Sequence, residues 1–268
     1  MKRCTPILIA IVGLLPIPAL AQDSMSLTPE ARGLAIAQEA SRRNEGYGDT
    51  TVKLIMELHS ADGRTRERVR TWKTLEVTQR GEGDMSLTIF HEPRDIAGTG
   101  FLSHTHLYSE DDQWLYLPSL KRVKRIASAN MSGSFVGSEF SYEDLLSDEV
   151  EKFSYRWLRD EPCGDWECFV VERVPVYDNS GYRRQVIWID KAEYRIHRTD
   201  FYDLEDTLEK TLYIENHRQY LDKFWRAHDL RMESIQTGKT TKLVFDTYQF
   251  KTGLTEQAFS PDTLKRIR

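Results

Sequence analysis

Residues 51–77 read TVKLIMELHSADGRTRERVRTWKTLEV, and the pattern repeats every second residue. Val52, Leu54, Met56 and Leu58 alternate with Lys53, Glu57 and His59, which places the apolar residues on one face of a strand. After the Asp62-Gly63 turn, Val69, Thr71, Leu75 and Val77 share one face, with Arg66, Arg68 and Arg70 on the other. Gly81 and Gly83 turn the chain again into Met85, Leu87 and Ile89. This is the pattern of an antiparallel meander with one buried face.

The same style continues to the end of the chain. Phe153, Tyr155 and Trp157 share a strand face, as do Val186 and Trp188. Leu208, Leu212 and Ile214 follow, and Leu243, Phe245 and Thr247 belong to a late strand after the Thr237-Gly238 turn. Turn signals at Asp178-Asn179-Ser180-Gly181 and from Asp203 to Asp206 separate the runs. About ten or eleven strands at this spacing predict a mainly β fold, a large curved sheet or open barrel. No shift in composition marks a domain boundary, so residues 22–268 are expected to form a single domain.

A helix is expected ahead of the strands. Thr28 suits the N-cap, Pro29 the first helical position, and Glu30 the positive end of the dipole. PEARGLAIAQEASRR then carries only a weak apolar stripe, Leu34, Ile36, Ala37 and Ala40, before Gly46 and Gly48. Several strands carry bulky residues on both faces. Trp72 rides with the arginines, Phe90 opposes Ile89, and Trp225 neighbours Phe224. Something must therefore cover the second face of the sheet, and the leading helix and the middle segment are the available covers.

The first residues indicate the compartment. Lys2 and Arg3 precede an apolar run from Ile7 to Leu20, and Ala19-Leu20-Ala21 places small residues before a cleavage point. Residues 1–21 read as a secretory signal peptide. Pro16 and Pro18 interrupt the run, which is short of the roughly 20 apolar residues of a spanning helix. Losing Lys2 and Arg3 moves the formal net charge from −5 to −7, which argues against a nucleic-acid partner. Two of the three cysteines, Cys163 and Cys168, survive cleavage and flank a Gly164-Asp165 turn. In an oxidising compartment they are expected to face each other across a hairpin as a disulfide. A redox CxxC motif or a metal site fits their spacing poorly.

Catalytic constellations are missing from the sequence. There is no GxSxG, HExxH, Walker loop or dinucleotide fingerprint, so no catalytic residue, cofactor or metal is expected. His104 and His106 lie two apart beside Glu110, Asp111 and Asp112, but two ligands before an acidic turn are the usual make-up of a surface strand. Lys121-Arg122-Val123-Lys124-Arg125 reads as an edge strand protected by charge, with an acidic partner or lipid head groups as the alternative. Ser141 to Asp144 has the form of a capping box, which accounts for Glu143 and Asp144 as a helix start.

The middle of the chain reads differently. RIASANMSGSFVGSEFSYEDL, residues 125–145, sets Met131, Phe135, Val136 and Phe140 among glycines and serines. Together with PRDIAGTGFL, DDQWLYLPSLKRVKRI, CGDWECFVVERVP and RRQVIWIDKAEYRIHRTDFYD, it resembles the LolA-like superfamily of periplasmic outer membrane lipoprotein-sorting proteins. That resemblance, which extends to a treponemal LolA-like lipoprotein domain, covers residues 28–250. It implies a half-open antiparallel β-barrel with an N-terminal helix and short lid helices around an apolar cavity for acyl chains. On that basis the chain is expected to be a periplasmic carrier of lipid or lipoprotein. Met131, Phe135, Val136 and Phe140, with Trp114 and Tyr116 from the adjacent strand, would then line or plug the cavity. The resemblance also implies an inner-membrane export protein of the resistance-nodulation-division type as a partner. The alternative function is a non-carrying adaptor of such a complex.

Overall fold

The computed structural model describes residues 27–267, so the expected signal peptide lies outside the described residues. Helix α1 spans Pro29–Asn44. The strands that follow are β1 (Asp49–His59), β2 (Thr65–Leu75), β3 (Glu82–Glu92), β4 (Gly100–His106), β5 (Asp112–Leu117), β6 (Arg122–Ile126) and β7 (Phe153–Cys163). Then come β8 (Trp166–Pro175), β9 (Arg184–Asp190), β10 (Ile196–Tyr202), β11 (Leu208–Tyr220), β12 (Phe224–Ser234), β13 (Thr240–Phe245) and the two-residue β14 (Gln249–Phe250). A short helix α2, Pro261–Leu264, closes the chain. Fourteen strands exceed the ten or eleven expected. A two-residue strand such as β14 is too short to show the alternation that marks a strand in sequence.

All strands join one antiparallel sheet in the order β6-β5-β4-β3-β2-β1-β13-β12-β11-β10-β9-β8-β7, with β14 on β1. It does not close, because β6 and β7 remain as edges. The basic cluster therefore sits on an edge strand, with Arg122, Lys124 and Arg125 exposed. Nine strand steps separate β6 from β10, which a flat sheet would hold roughly 43 Å apart. Ile126 of β6 and Phe201 of β10 nevertheless share one buried cluster with Leu54, Met56, Phe90, Met232 and Leu243. The sheet must curl strongly to bring them together, and this cluster defines its inner face.

The two halves of the inner face are covered differently. On β7 to β9, α1 lays Ile36 and Ala37 against Tyr155, Val171, Ile187 and Ile189. Thr28 caps the helix as expected, its Oγ1 accepting the Ala31 N–H at 3.2 Å. Gly33 explains why so weak a stripe suffices: a Cβ there would lie 2.7 Å from the backbone N of Trp157. The helix rests directly on the β7 backbone, with the Arg32 guanidinium 3.8 Å over the Trp157 ring. Over the other half, residues 127–149 occupy the inner face themselves.

The outer face is covered in patches. The tail folds back over β3 to β5, where Phe259 and Leu264 bury Leu87 and Leu102. Further along, Cys168, Val170, Val186 and Trp188 form a second outer cluster, and the Arg198 guanidinium lies 4.4 Å over the Trp188 ring. Cys163 and Cys168 are bonded, with Cα atoms 5.9 Å apart. They are diagonal rather than face to face, since Cys163 pairs with Trp166 and Cys168 with Glu161.

Replacing Gly33 with Ala should drive α1 off β7. Overpacking of this kind costs about 1–3 kcal/mol, a drop of several degrees in Tm for a chain of this size. Thermal unfolding measures it, and an unchanged Tm would mean that the helix is not seated at Gly33.

Candidate functional site

Residues 127–149, termed the plug, fold on themselves before they touch the sheet. Val136 and Gly137 take left-handed backbone angles, φ 51° and 75°, and reverse the chain. The Phe135 N–H then donates to the Phe140 carbonyl at 2.7 Å, and Ser134 bridges to Ser141. Ser134 Oγ donates to the Ser138 carbonyl at 2.6 Å and Ser138 Oγ to the Phe135 carbonyl at 2.7 Å. These serines bind the turn together. Among the described residues, each backbone–backbone hydrogen bond made by residues 131–146 stays within 128–146.

Phe135 is fully buried, its ring 5.1 Å from Phe101, 5.6 Å from Tyr142 and 6.0 Å from Phe90. Phe140 and Met131 are also buried, and Val136 packs half-buried at the margin of the same cluster. Trp114 and Tyr116 do not join them. Leu115 and Leu117 take the inner face of β5, so Trp114 and Tyr116 point outward against the cluster of Phe259 and Leu264.

Side chains tie the plug to the sheet. Gln113 Nε2 donates to the Tyr142 carbonyl at 2.8 Å, the Glu139 N–H to Thr241 Oγ1 at 3.0 Å, and Arg68 to the Val136 carbonyl. The capping box forms reciprocally, Ser141 N to Asp144 Oδ2 at 2.7 Å and Asp144 N to Ser141 Oγ at 3.2 Å. It opens only a 3-10 turn, Glu143–Leu145. The two acids do more than cap. Asp144 accepts from Lys210 Nζ and the Tyr182 hydroxyl, both at 2.7 Å. Glu143 accepts from Tyr177, Ser180 and the Gly181 N–H. Burial pushes the Glu143 carboxyl above its usual range and raises the Tyr177 and Tyr182 phenols as well. Sequence spacing could not reveal this network, because its partners lie some 35 to 70 positions away.

Beneath the plug the arginine face of β2 turns inward, against the expectation from its alternation. Arg70 pairs in register with Leu54 and Phe90, and it is 1% exposed. Its guanidinium lies 5.7 Å from the ring centres of both Phe90 and Phe135. Its Nε and Nη2 have no hydrogen-bond partner among the described residues. Burial, with Arg68 adding like charge, brings its pKa down to about 9.

Beside the plug, between α1, residues 147–151 and β8 to β12, lies a cavity of about 1420 Å³. Apolar lining comes from Ala37, Tyr155, Ile187, Ile189 and Ile214, and charged lining from Arg43, Glu149, Arg173, Glu193, Lys223 and Arg226. Such a mixture suits an amphiphile better than a purely apolar guest. Arg195, also in the lining, is stacked between Trp166 and Trp225 at 4.3 and 4.5 Å. Burial holds the neighbouring His217 down to about 4, with His197 and Arg195 adding to the effect. Asp84 accepts from the Tyr47 hydroxyl at 2.7 Å, and burial pushes its carboxyl up to about 6.

The two histidines of β4 are engaged within the protein. His104 Nε2 lies 2.6 Å from the Phe259 carbonyl, and His106 Nδ1 lies 2.5 Å from Glu82. Among the described residues no group of three His, Cys, Asp or Glu side chains could hold a metal ion, and no helix is long and apolar enough to cross a membrane.

The fold recurs in solved structures. An outer membrane lipoprotein-sorting protein domain from Vibrio parahaemolyticus is 51% identical, with 88% of this chain and 99% of that one covered and a TM-score of 0.85. The chain belongs to the family of this domain. A family model described as "Uncharacterized protein" matches residues 82–266. A DUF1329 family protein from Desulfovibrio piger is 26% identical over 89% of this chain and 100% of its own, with a TM-score of 0.84. A LolA superfamily protein from Nitrosomonas europaea shares the fold at 18% identity and a TM-score of 0.68, over 89% of this chain and 100% of that one. No curated protein sequence matches the chain.

In this LolA-like chain Asp84 makes the cavity sensitive to pH. Its folded pKa of about 6 stands above the 3.8 of a free side chain. The folded state therefore binds a proton that the unfolded state has released between those values, and the stability this contributes falls as pH rises through the window. Asp84→Asn removes the dependence. The Tm of the variant minus that of the wild type should be larger at pH 7.5 than at pH 4.5. A difference independent of pH would mean that Asp84 is ionised throughout.

Proposed function

We propose that this chain is a periplasmic carrier of lipid or lipoprotein, one that holds acyl chains on the inner face of the sheet. The observation that carries the reading is the cavity of about 1420 Å³ under α1, larger than the few hundred to about 1,000 Å³ of a drug-sized pocket. Ile187, Ile189 and Ile214 offer a floor for a hydrocarbon chain, and the surrounding charges offer partners for a head group. Each methylene taken from water contributes about 0.8 kcal/mol, so a single chain binds usefully while staying releasable.

The plug supplies the second part of the mechanism. Phe135, Val136 and Phe140 occupy inner surface that cargo could take if the plug swung out, with Met131 buried in the same plug outside that cluster. Its internal hydrogen bonds would let it move as one body. Trp114 and Tyr116 play no part in this surface, because the outer face carries them. The described residues act as one domain in this reading, and no catalytic step is assigned to any of them. The Vibrio relative is described as lipoprotein-sorting, which supports carriage over a purely structural role. An adaptor on an inner-membrane export protein is the second reading, favoured by the uncovered, basic β6 edge.

Native mass spectrometry of the protein purified from its own envelope tests the choice. A carrier should retain about one lipid or acylated ligand per chain, and Ile214→Asp, at a half-buried lining position outside the core clusters, should release it without unfolding the sheet. Ligand-free wild-type protein that also fails to take up an added long-chain lipid would remove the carrier reading and leave the adaptor.

A further inference from the structure

Arg70 has no counter-charge among the described residues. It stands mid-strand on β2, 1% exposed, beside the Phe90–Phe135 ring pair at 5.7 Å from each ring centre, and makes no ion pair with any described residue. A buried unpaired guanidinium is among the costliest groups a fold can carry, and an apolar residue of similar length would pack there more favourably. Its two unpartnered donors are Nε and Nη2, the edge of the guanidinium that grips two oxygens side by side. Elsewhere in this chain Arg42, Arg159 and Arg198 each hold a carboxylate through that same pair of nitrogens. In Arg70 that edge is left free next to the Phe90 and Phe135 rings.

We infer that Arg70 is a head-group site, taking the oxyanion of an acylated amphiphile, a carboxylate or a phosphate, when the plug lifts. The inference rests on the carrier reading and adds the class of cargo. Phe135 is the plug residue whose ring neighbours the guanidinium, so its departure opens the space next to Arg70. Phe135 leaves without breaking any backbone–backbone hydrogen bond to the sheet, since those of residues 131–146 are internal; the bonds given up are those of the Val136 carbonyl to Arg68 and of the Glu139 N–H to Thr241. The ligand's chain then takes the volume of Phe135 and Phe140 against Phe90, Phe101 and Leu54, and its head satisfies the two free donors. An unpaired charge under the plug and a charge-paired ligand in its place are two halves of one exchange. Burial of the bare charge weakens the closed form, and the anion is what the open form gains.

Calorimetric titration of the full mature chain with dodecanoate, dodecyl phosphate and dodecanol, each below its micellar concentration, tests this. The wild type should bind at least one anion about tenfold or more tighter than dodecanol. Whichever anion binds tighter identifies the head group as carboxylate or phosphate. Arg70→Met should keep dodecanol affinity and bring all three ligands within about twofold, while its Tm stays level or rises. Arg70→Gln, still polar but uncharged, gives the same reading if the Met variant folds poorly. Arg68→Gln should retain the preference, which separates a specific contact from the general field of two cations. Equal binding of the three ligands by the wild type overturns the head-group site and leaves the carrier standing. A preference that survives loss of Arg70, or is lost equally with Arg68, overturns it too. No binding of any of the three overturns both.

Discussion

A sheet that curls without closing has an inner face too wide for its own side chains to fill and too apolar to leave wet. Here β6 and β7 stay apart, so neither edge seals the curl. The chain meets the problem with two inserted pieces of different character. Helix α1 is held by close backbone approach at Gly33 and by the Arg32–Trp157 stack. The plug is held by aromatic packing around Phe135 and by a buried polar network at Glu143 and Asp144. The cavity lies between them, where neither piece reaches. Cavity, plug and unpaired arginine thus follow from one geometric constraint rather than from three separate features.

Much of this was legible from local pattern. Alternation in β1 correctly assigns Val52, Leu54, Met56 and Leu58 to one buried face. The Thr28 cap and the Ser141–Asp144 box appear at the expected positions because both depend on contacts only three residues apart. The charge of Lys121 to Arg125 points to an edge, and β6 is one. What alternation cannot tell is which face of a strand becomes the inside, since the curl of the whole sheet decides that. Trp114 and Tyr116 fall on the wrong side for this reason, one position out of step with Leu115 and Leu117. The arginines of β2 mislead more strongly, because a row of charge reads as solvent-facing. The tail packing of Phe259 and Leu264 left no sign in the sequence, being a contact across more than 150 positions.

The polar groups under and around the plug divide into two kinds. Glu143 and Asp144 are saturated, each with three partners, and saturation of that sort fixes a single arrangement. Arg70 is the reverse, deeply buried and left with free donors. Both lie within the same small region, so the plug is anchored firmly at the Glu143 end and rests on an electrostatically unfavourable surface at the Phe135 end.

This asymmetry bears on how such a segment could open. If it were held equally along its length, displacement would require breaking the Lys210–Asp144 pair in a medium where unpaired charges are costly. Held at one end, it can swing. The turn at Val136 and Gly137 is the tip, whose swing gives up the bonds of the Val136 carbonyl to Arg68 and of Glu139 to Thr241 and Lys210, and the Glu143 network is the pivot. The small residues that made the segment look like a flexible loop then serve a different purpose. Ser134 and Ser138 keep the tip folded as it moves, so that Phe135 and Phe140 travel together and leave a continuous apolar surface behind them.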